Sequence, residues 1–209
     1  MKLKFCGFKT IEDVYKAKDL DIDAIGFIHY PKSKRYVDID KIEAFANIIP
    51  EDKDKVVIVV NPDYQTLSNL IDNTNITTIQ LHGSENLETI HFIRQKKDNI
   101  KIIKALPAKN ANTLAKYIQY YKGFVDRFII DTPSISYGGT GQSYDWEILK
   151  DIADVDFLIA GGMDYKNIQS VSKLSLNHNG YDIASGIETN GVKDSEKMQA
   201  IIELVKGVN

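Results

Sequence analysis

The chain has a single cysteine among 209 residues, so it cannot form an internal disulfide. That suits a reducing cytoplasm. Long apolar runs are also missing. None approaches the roughly 20 residues of a membrane helix, and Met1-Lys2-Leu3-Lys4 lacks the apolar core of a secretion signal. A cytoplasmic protein with no membrane partner is the expectation. Charge of one sign is not in excess: 26 Lys and Arg stand against 29 Asp and Glu, interspersed, for a net −3. That argues against the basic face of a nucleic-acid binder. There is no G-x-G-x-x-G after the first apolar run, no P-loop, and no His, Cys and acidic set with metal-ligand spacing. No cofactor and no metal are expected. With only five prolines and no linker, charge block or low-complexity tract, residues 1–209 read as one domain. A chain of this length buries a large core without staples.

What is present is an alternation. Short β-branched runs at 3–6, 24–28, 56–60, 78–82, 101–105, 128–131, 157–161 and 181–185 alternate with helix-period segments. Most of these runs are continuously apolar, as in parallel strands covered on both faces. Between them, Ile42, Phe45, Ala46 and Ile49 lie on one helical stripe. So do Leu114, Tyr117, Ile118 and Tyr121, and Met198, Ile201, Ile202 and Val205. Thr10 with Asp13 approximates a capping box. Ser84-Glu85 and Asp194-Ser195-Glu196 put negative charge where helices should open. Eight strand–helix units fit an open doubly wound sheet or a closed α/β barrel with an outer ring of helices. The count of eight favours the (β/α)8 TIM barrel.

Catalytic groups in such barrels lie at the carboxyl ends of the strands. Cys6 ends the first run. A lone cysteine is ordinarily a small buried hydrophobe, and what raises interest in it is its company. Asp131 ends an apolar run, where desolvation would raise its pKa and let it hold a proton; an N-cap or turn aspartate is the plainer reading. The loop after it carries Tyr137-Gly138-Gly139-Thr140-Gly141, a backbone suited to close ligand approach or to a lid. Gly161-Gly162 and Ser185-Gly186 follow the last two runs, where barrels often build a phosphate site from main-chain N–H groups. Arg35, in Lys32-Ser33-Lys34-Arg35, is either part of a solvated face or a bidentate grip for a carboxylate. His82 stacks or donates in the pocket, or is structural. Together these describe a cofactor-free barrel that moves protons on a phosphorylated small molecule.

Several of these runs, in order, resemble the phosphoribosylanthranilate isomerase family of tryptophan biosynthesis. They are Lys4-Phe5-Cys6-Gly7, Tyr30-Pro31-Lys32-Ser33-Lys34-Arg35-Tyr36, Gln80-Leu81-His82-Gly83, Asp131-Thr132, Tyr137 to Gly141, Asp145-Trp146, Ala160-Gly161-Gly162 and the run 182–188. The resemblance implies an Amadori rearrangement, an aldose–ketose type isomerisation. Asp131 would be the general acid on the furanose ring oxygen and Cys6 the general base at C2′. Arg35 would hold the anthranilate carboxylate, and the loops at Gly161, Gly162, Ser185 and Gly186 the phosphate. Asp182 and His82 would join the substrate-binding set. A monomer or weak homodimer is implied. The sequence departs from the family at Phe5, Phe8, Lys9, His29 and Asn61; Lys9 would favour a Cys6 thiolate if it points inward. Two other readings stand beside this one. A carbon–carbon lyase would use Lys104 as its catalytic amine, and a non-catalytic phospholigand binder would have no use for Cys6 and Asp131 together.

Overall fold

The computed structural model describes residues 1–131 and 146–207. Eight strands form a closed parallel barrel: β1 (Lys2–Cys6), β2 (Ala24–Ile28), β3 (Asp54–Val59), β4 (Thr78–Leu81), β5 (Lys101–Pro107), β6 (Arg127–Asp131), β7 (Phe157–Ala160) and β8 (Gly180–Ile183). Seven α-helices are present among the described residues: α1 (Ile11–Ala17), α2 (Ile39–Ile48), α3 (Tyr64–Asn73), α4 (Leu87–Lys96), α5 (Ala111–Tyr121), α6 (Tyr165–Val171) and α7 (Ser195–Lys206). Between β6 and β7 the described residues form a 3-10 turn, Trp146–Leu149, and no α-helix. The glycine-rich run from Tyr137 to Gly141 lies outside the described residues, as does Asp145. No described helix is long and apolar enough to cross a membrane.

The continuous apolar strands have two buried faces because the barrel has two apolar spaces. Leu3, Phe5, Ile25, Phe27, Val57, Ile79, Ile130 and Ile159 face outward into the layer beneath the helices. Their neighbours one residue along point inward: Cys6, Ala24, Val56, Ile58, Ile103, Ala105, Ile129, Leu158 and Ala160 fill the lumen. This is the period-two alternation of a strand. Lys4, Thr78, Gln80 and Asp182 share the inward register and are almost wholly buried.

All seven helices start on a side-chain cap, from Thr10, Asp38, Asp63, Asn86, Asn110, Asp164 and Asp194. The expectation for Ser84-Glu85 fails: Asn86 caps α4, and Glu85 turns inward to accept from the backbone N–H groups of Asn61 and Gly83. Tyr117 also departs from its expected stripe. It is 44% exposed, while Leu114, Ile118 and Tyr121 cover the core.

An antiparallel hairpin, β9 (Glu188–Thr189) with β10 (Val192–Lys193), follows β8 and a 3-10 turn, Ser185–Ile187. It spans the seam where β8 pairs with β1, with Lys2 opposite Gly180 and Lys4 opposite Asp182. At Gly180 a Cβ would fall on the Lys2 carbonyl oxygen, so the seam closes only around a glycine. Gly180→Ala should therefore cost about 3 kcal/mol by forcing backbone apart. Gly123→Ala, where φ is +90° but the space is open, should cost only the left-handed strain of about 1–2 kcal/mol. Urea unfolding midpoints of the two variants test this order.

Candidate active site

Cys6 is the last residue of β1 and turns its sulfur into the lumen, 6% exposed. On β2, a Cβ at Gly26 would lie 3.0 Å from Cys6 Sγ and 3.2 Å from Lys4 Nζ. The missing side chain there leaves the room in which thiol and ammonium meet. Lys4 Nζ lies 2.8 Å from Asp182 Oδ1 across the β1–β8 seam, with both groups buried. Burial opposes the Lys4 charge, but Asp182 and the neighbouring sulfur outweigh it and hold the ammonium above its ordinary pKa. Burial also pushes the Cys6 thiol up, and the cations of Lys4 and Lys193 offset only part of that. The resting group at neutral pH is the thiol, with its counter-charge already beside it. Lys9, considered for that part from the sequence, is half-buried; the cations acting on the sulfur are Lys4 and Lys193. The carboxylate of Asp182, expected to bind substrate, is engaged by Lys4.

Asp131 closes β6, three strands from β1 by way of β7 and β8. Its side chain is 39% exposed, so it sits at the open mouth rather than in an apolar enclosure. Oδ2 is 3.3 Å from His82 Nε2, and His82 Nδ1 is 3.3 Å from Gln80 Nε2. An amide nitrogen only donates, so Nδ1 accepts and Nε2 carries the proton toward Asp131. His82 thus lies in the mouth as expected, and its partner there is the carboxyl group. Oδ1 has no hydrogen-bond partner among the described residues.

The two small-residue loops also meet at this end. Gly161 (φ 85°) and Gly162 (φ 66°) adopt left-handed backbone that glycine enters freely. Asn167 Nδ2 donates to the Gly162 carbonyl at 2.7 Å and fixes the loop. The 3-10 turn at Ser185 has no side-chain cap, which leaves its N–H groups for an anion. Gly186 differs from expectation: a Cβ there would strike the Met163 carbonyl. Its small size lets the two loops pack together.

Arg35 crosses over Gly7, where an added Cβ would lie 2.6 Å from Arg35 Cδ. Its guanidinium is gripped by Glu188, Nε to Oε1 at 2.9 Å and Nη2 to Oε2 at 2.6 Å. Lys193 Nζ donates to Glu188 Oε1 at 2.8 Å, to the Cys6 carbonyl at 2.6 Å and to the Ala184 carbonyl at 3.1 Å. Burial pushes the Glu188 carboxyl up, but hydrogen bonds from Arg35 and Lys193 bring it down to about 2. The sequence reading missed both residues. Glu188 ends a run that drew notice, whereas Lys193 follows an exposed valine with nothing to mark it. Lys104, the candidate amine of the lyase alternative, is a salt-bridge partner of Glu85. Lys104 points out of the lumen and donates to the carbonyls of Leu81, Gly83 and Ala105 and to Glu85. The lysine inside the barrel is Lys4.

Two outcomes follow from these charges. Lys4→Met leaves Asp182 buried without its partner, a loss of about 3–5 kcal/mol. In that variant the Cys6 thiol should titrate higher. Alkylation of the single cysteine, followed by intact mass across pH, should shift its midpoint upward, while Lys4→Arg should stay near wild type. Glu188 has a folded pKa below its ordinary 4.5, so the stability it contributes is present above pH 4.5 and is lost as pH falls toward 2. Glu188→Gln should flatten the stability–pH curve in that window, read by thermal unfolding.

Residues 3–204 match the family described as N-(5'phosphoribosyl)anthranilate (PRA) isomerase. An N-(5'-phosphoribosyl)anthranilate isomerase of Staphylococcus aureus (strain N315) is 58% identical over 207 residues, 99% of this chain and 98% of that protein. The crystal structure of phosphoribosyl anthranilate isomerase from Thermotoga maritima superposes with a TM-score of 0.85 at 26% identity, covering all of both chains. A phosphoribosyl anthranilate isomerase solved in complex with reduced 1-(o-carboxyphenylamino)-1-deoxyribulose 5-phosphate has the same fold, with a TM-score of 0.82 at 24% identity over all of both chains. With a lumen thiol, a rim carboxyl group and paired glycine loops on this barrel, the chain belongs to the PRA isomerase family.

Proposed function

We propose that this chain catalyses the Amadori rearrangement of N-(5′-phosphoribosyl)anthranilate to 1-(2-carboxyphenylamino)-1-deoxyribulose 5-phosphate, the isomerase step of tryptophan biosynthesis. The observation that carries the reading is the pairing of Cys6 and Asp131 at one mouth, with Lys4 beside the sulfur. Asp131 gives a proton to the furanose ring oxygen as the C1′–O bond breaks, and the anilino nitrogen lone pair forms an iminium. The iminium acidifies the C2′ hydrogen. Cys6, once its own proton has passed to solvent and the thiolate stands beside Lys4, takes the C2′ proton and leaves an enolamine, which tautomerises to the ketone. Every atom of substrate is retained and only protons move, so the chemistry calls for no cofactor.

His82 holds Asp131 by one oxygen. The N–H groups at Gly161, Gly162, Ser185 and Gly186 take the phosphate, and Arg35 takes the anthranilate carboxylate. Asp182 acts by holding Lys4 against the thiol rather than by reaching substrate. We infer further that residues 1–209 work as one barrel domain, as a monomer or weak homodimer, on a small phosphorylated substrate. A reducing cytoplasm suits a base that must stay a free thiol. The lyase reading loses its amine, because Lys104 is held outside the lumen by four acceptors.

Cys6→Ser and Asp131→Asn should each lower kcat by about 10²–10⁴-fold, the usual contribution of a positioned acid or base. The assay is the decay of substrate fluorescence on purified protein. A variant with near-normal turnover would remove its residue from the mechanism. Tight binding of the substrate by the wild-type protein without turnover would select a binding protein instead.

A further inference from the structure

The Arg35–Glu188 pair raises a question that the assignment of Arg35 does not answer. A guanidinium already held bidentately has to bind a second carboxylate. Its geometry resolves this. Glu188 occupies the side-on edge, formed by Nε and one hydrogen of Nη2. The end-on edge, formed by Nη1 and the other hydrogen of Nη2, meets no acceptor among the described residues. Guanidinium has five N–H donors in a fixed plane, so the two edges can serve two carboxylates at once. Glu188 is itself immobilised, since Oε1 also accepts from Lys193, whose remaining donors are taken by the carbonyls of Cys6 and Ala184. The charges sum in the same direction. Arg35 and Lys193 against Glu188 leave one net positive charge, enough for one carboxylate.

We propose that Glu188, anchored by Lys193, is the positioning residue for substrate specificity at this site: it fixes Arg35 by one edge so that the other is presented to the aryl carboxylate of the substrate. The inference rests on the proposed isomerase reading and adds to it a residue that acts through Arg35. Because Lys193 also holds the Cys6 carbonyl, the same ammonium ties the carboxylate grip to the strand end carrying the thiol. Recognition of the ring substituent and placement of the sulfur are thereby coupled through one side chain.

The test compares two ligands on the wild-type protein, Glu188→Gln and Arg35→Lys. One ligand is reduced 1-(o-carboxyphenylamino)-1-deoxyribulose 5-phosphate, and the other is its counterpart lacking the ring carboxylate. Binding is measured by titration calorimetry. Glu188→Gln should weaken the carboxylated ligand at least tenfold and leave the other within twofold. Arg35→Lys, which keeps the charge but has no second edge, should show the same selective loss. In turnover, Glu188→Gln should raise KM more than it lowers kcat. Equal weakening of both ligands would mark Glu188 as merely structural and overturn the inference. Tighter binding of the carboxylated ligand would overturn it too, by showing that Glu188 competes with substrate for Arg35. An absence of effect on either ligand would do the same. If the wild-type protein neither binds the carboxylated ligand nor turns over the substrate, the isomerase reading itself has failed, and the two failures are told apart.

Discussion

The buried pair of Lys4 and Asp182 is the constraint on which the rest of the site depends. An ammonium 1% exposed inside a barrel cannot stay charged without a counter-ion, and the counter-ion comes from the opposite side of the only seam that joins the ends of the sheet. Lys4 and Asp182 are register partners across β1 and β8, so the pair forms only when the barrel is closed in the correct register. A slip of one residue would turn one of the two charges outward into the apolar layer under the helices and leave the other unpaired in the lumen. The ion pair therefore does little as net stabilisation and much as specification: it marks one closure as permitted. The same ammonium lies beside Cys6, which makes the electrostatic requirement of the fold also the electrostatic environment of the thiol.

Burial and charge act in opposition on that sulfur. Desolvation alone would leave an inert, protonated cysteine, the common fate of a lone buried thiol. Two lysines on different elements, one in the lumen and one on the β9–β10 hairpin, work against this. The result is a group that rests as thiol yet has a cation ready for its ionised form. Asp131 sits in the contrasting setting, exposed at the rim and held by His82. Two titratable groups in unlike surroundings suit the proposed reaction, with its one acid step and one base step.

The fold was legible because its signals are repeated. Seven of the strand–helix units pair an apolar run with a helix opened by a Thr, Asp or Asn cap, so an error of a residue or two at any boundary leaves the architecture unchanged. Cys6, Asp131 and the glycine loops were legible as well, since in a barrel a strand end is a position in space as much as in sequence. What escaped were contacts without periodicity. Lys104 and Lys4 both interrupt apolar strands, and nothing local tells an inward lysine from an outward one. The register of each strand decides it, and Ile103 and Ala105 claim the lumen on β5. Glu85 looked like helix-opening charge and is instead a buried acceptor for Lys104 and two loop N–H groups. Gly186 looked like space for a ligand and is space for the Met163 backbone.

The seam also explains why the site draws on both ends of the chain. Cys6 and Lys4 lie in the first strand, whereas Asp182, Glu188 and Lys193 follow in the last strand and the hairpin beyond it. Lys193 Nζ to the Cys6 carbonyl joins residues 187 positions apart. Contacts of that sequence separation carry the largest loop-closure entropy in the chain. Until β8 docks on β1, the thiol has no cation supported by a counter-ion and Arg35 has no carboxylate to orient it. Assembly of these contacts is thus tied to closure of the β1–β8 seam. A chain with that seam open holds Cys6 without the Lys4–Asp182 pair and the Lys193 ammonium that surround it in the closed barrel.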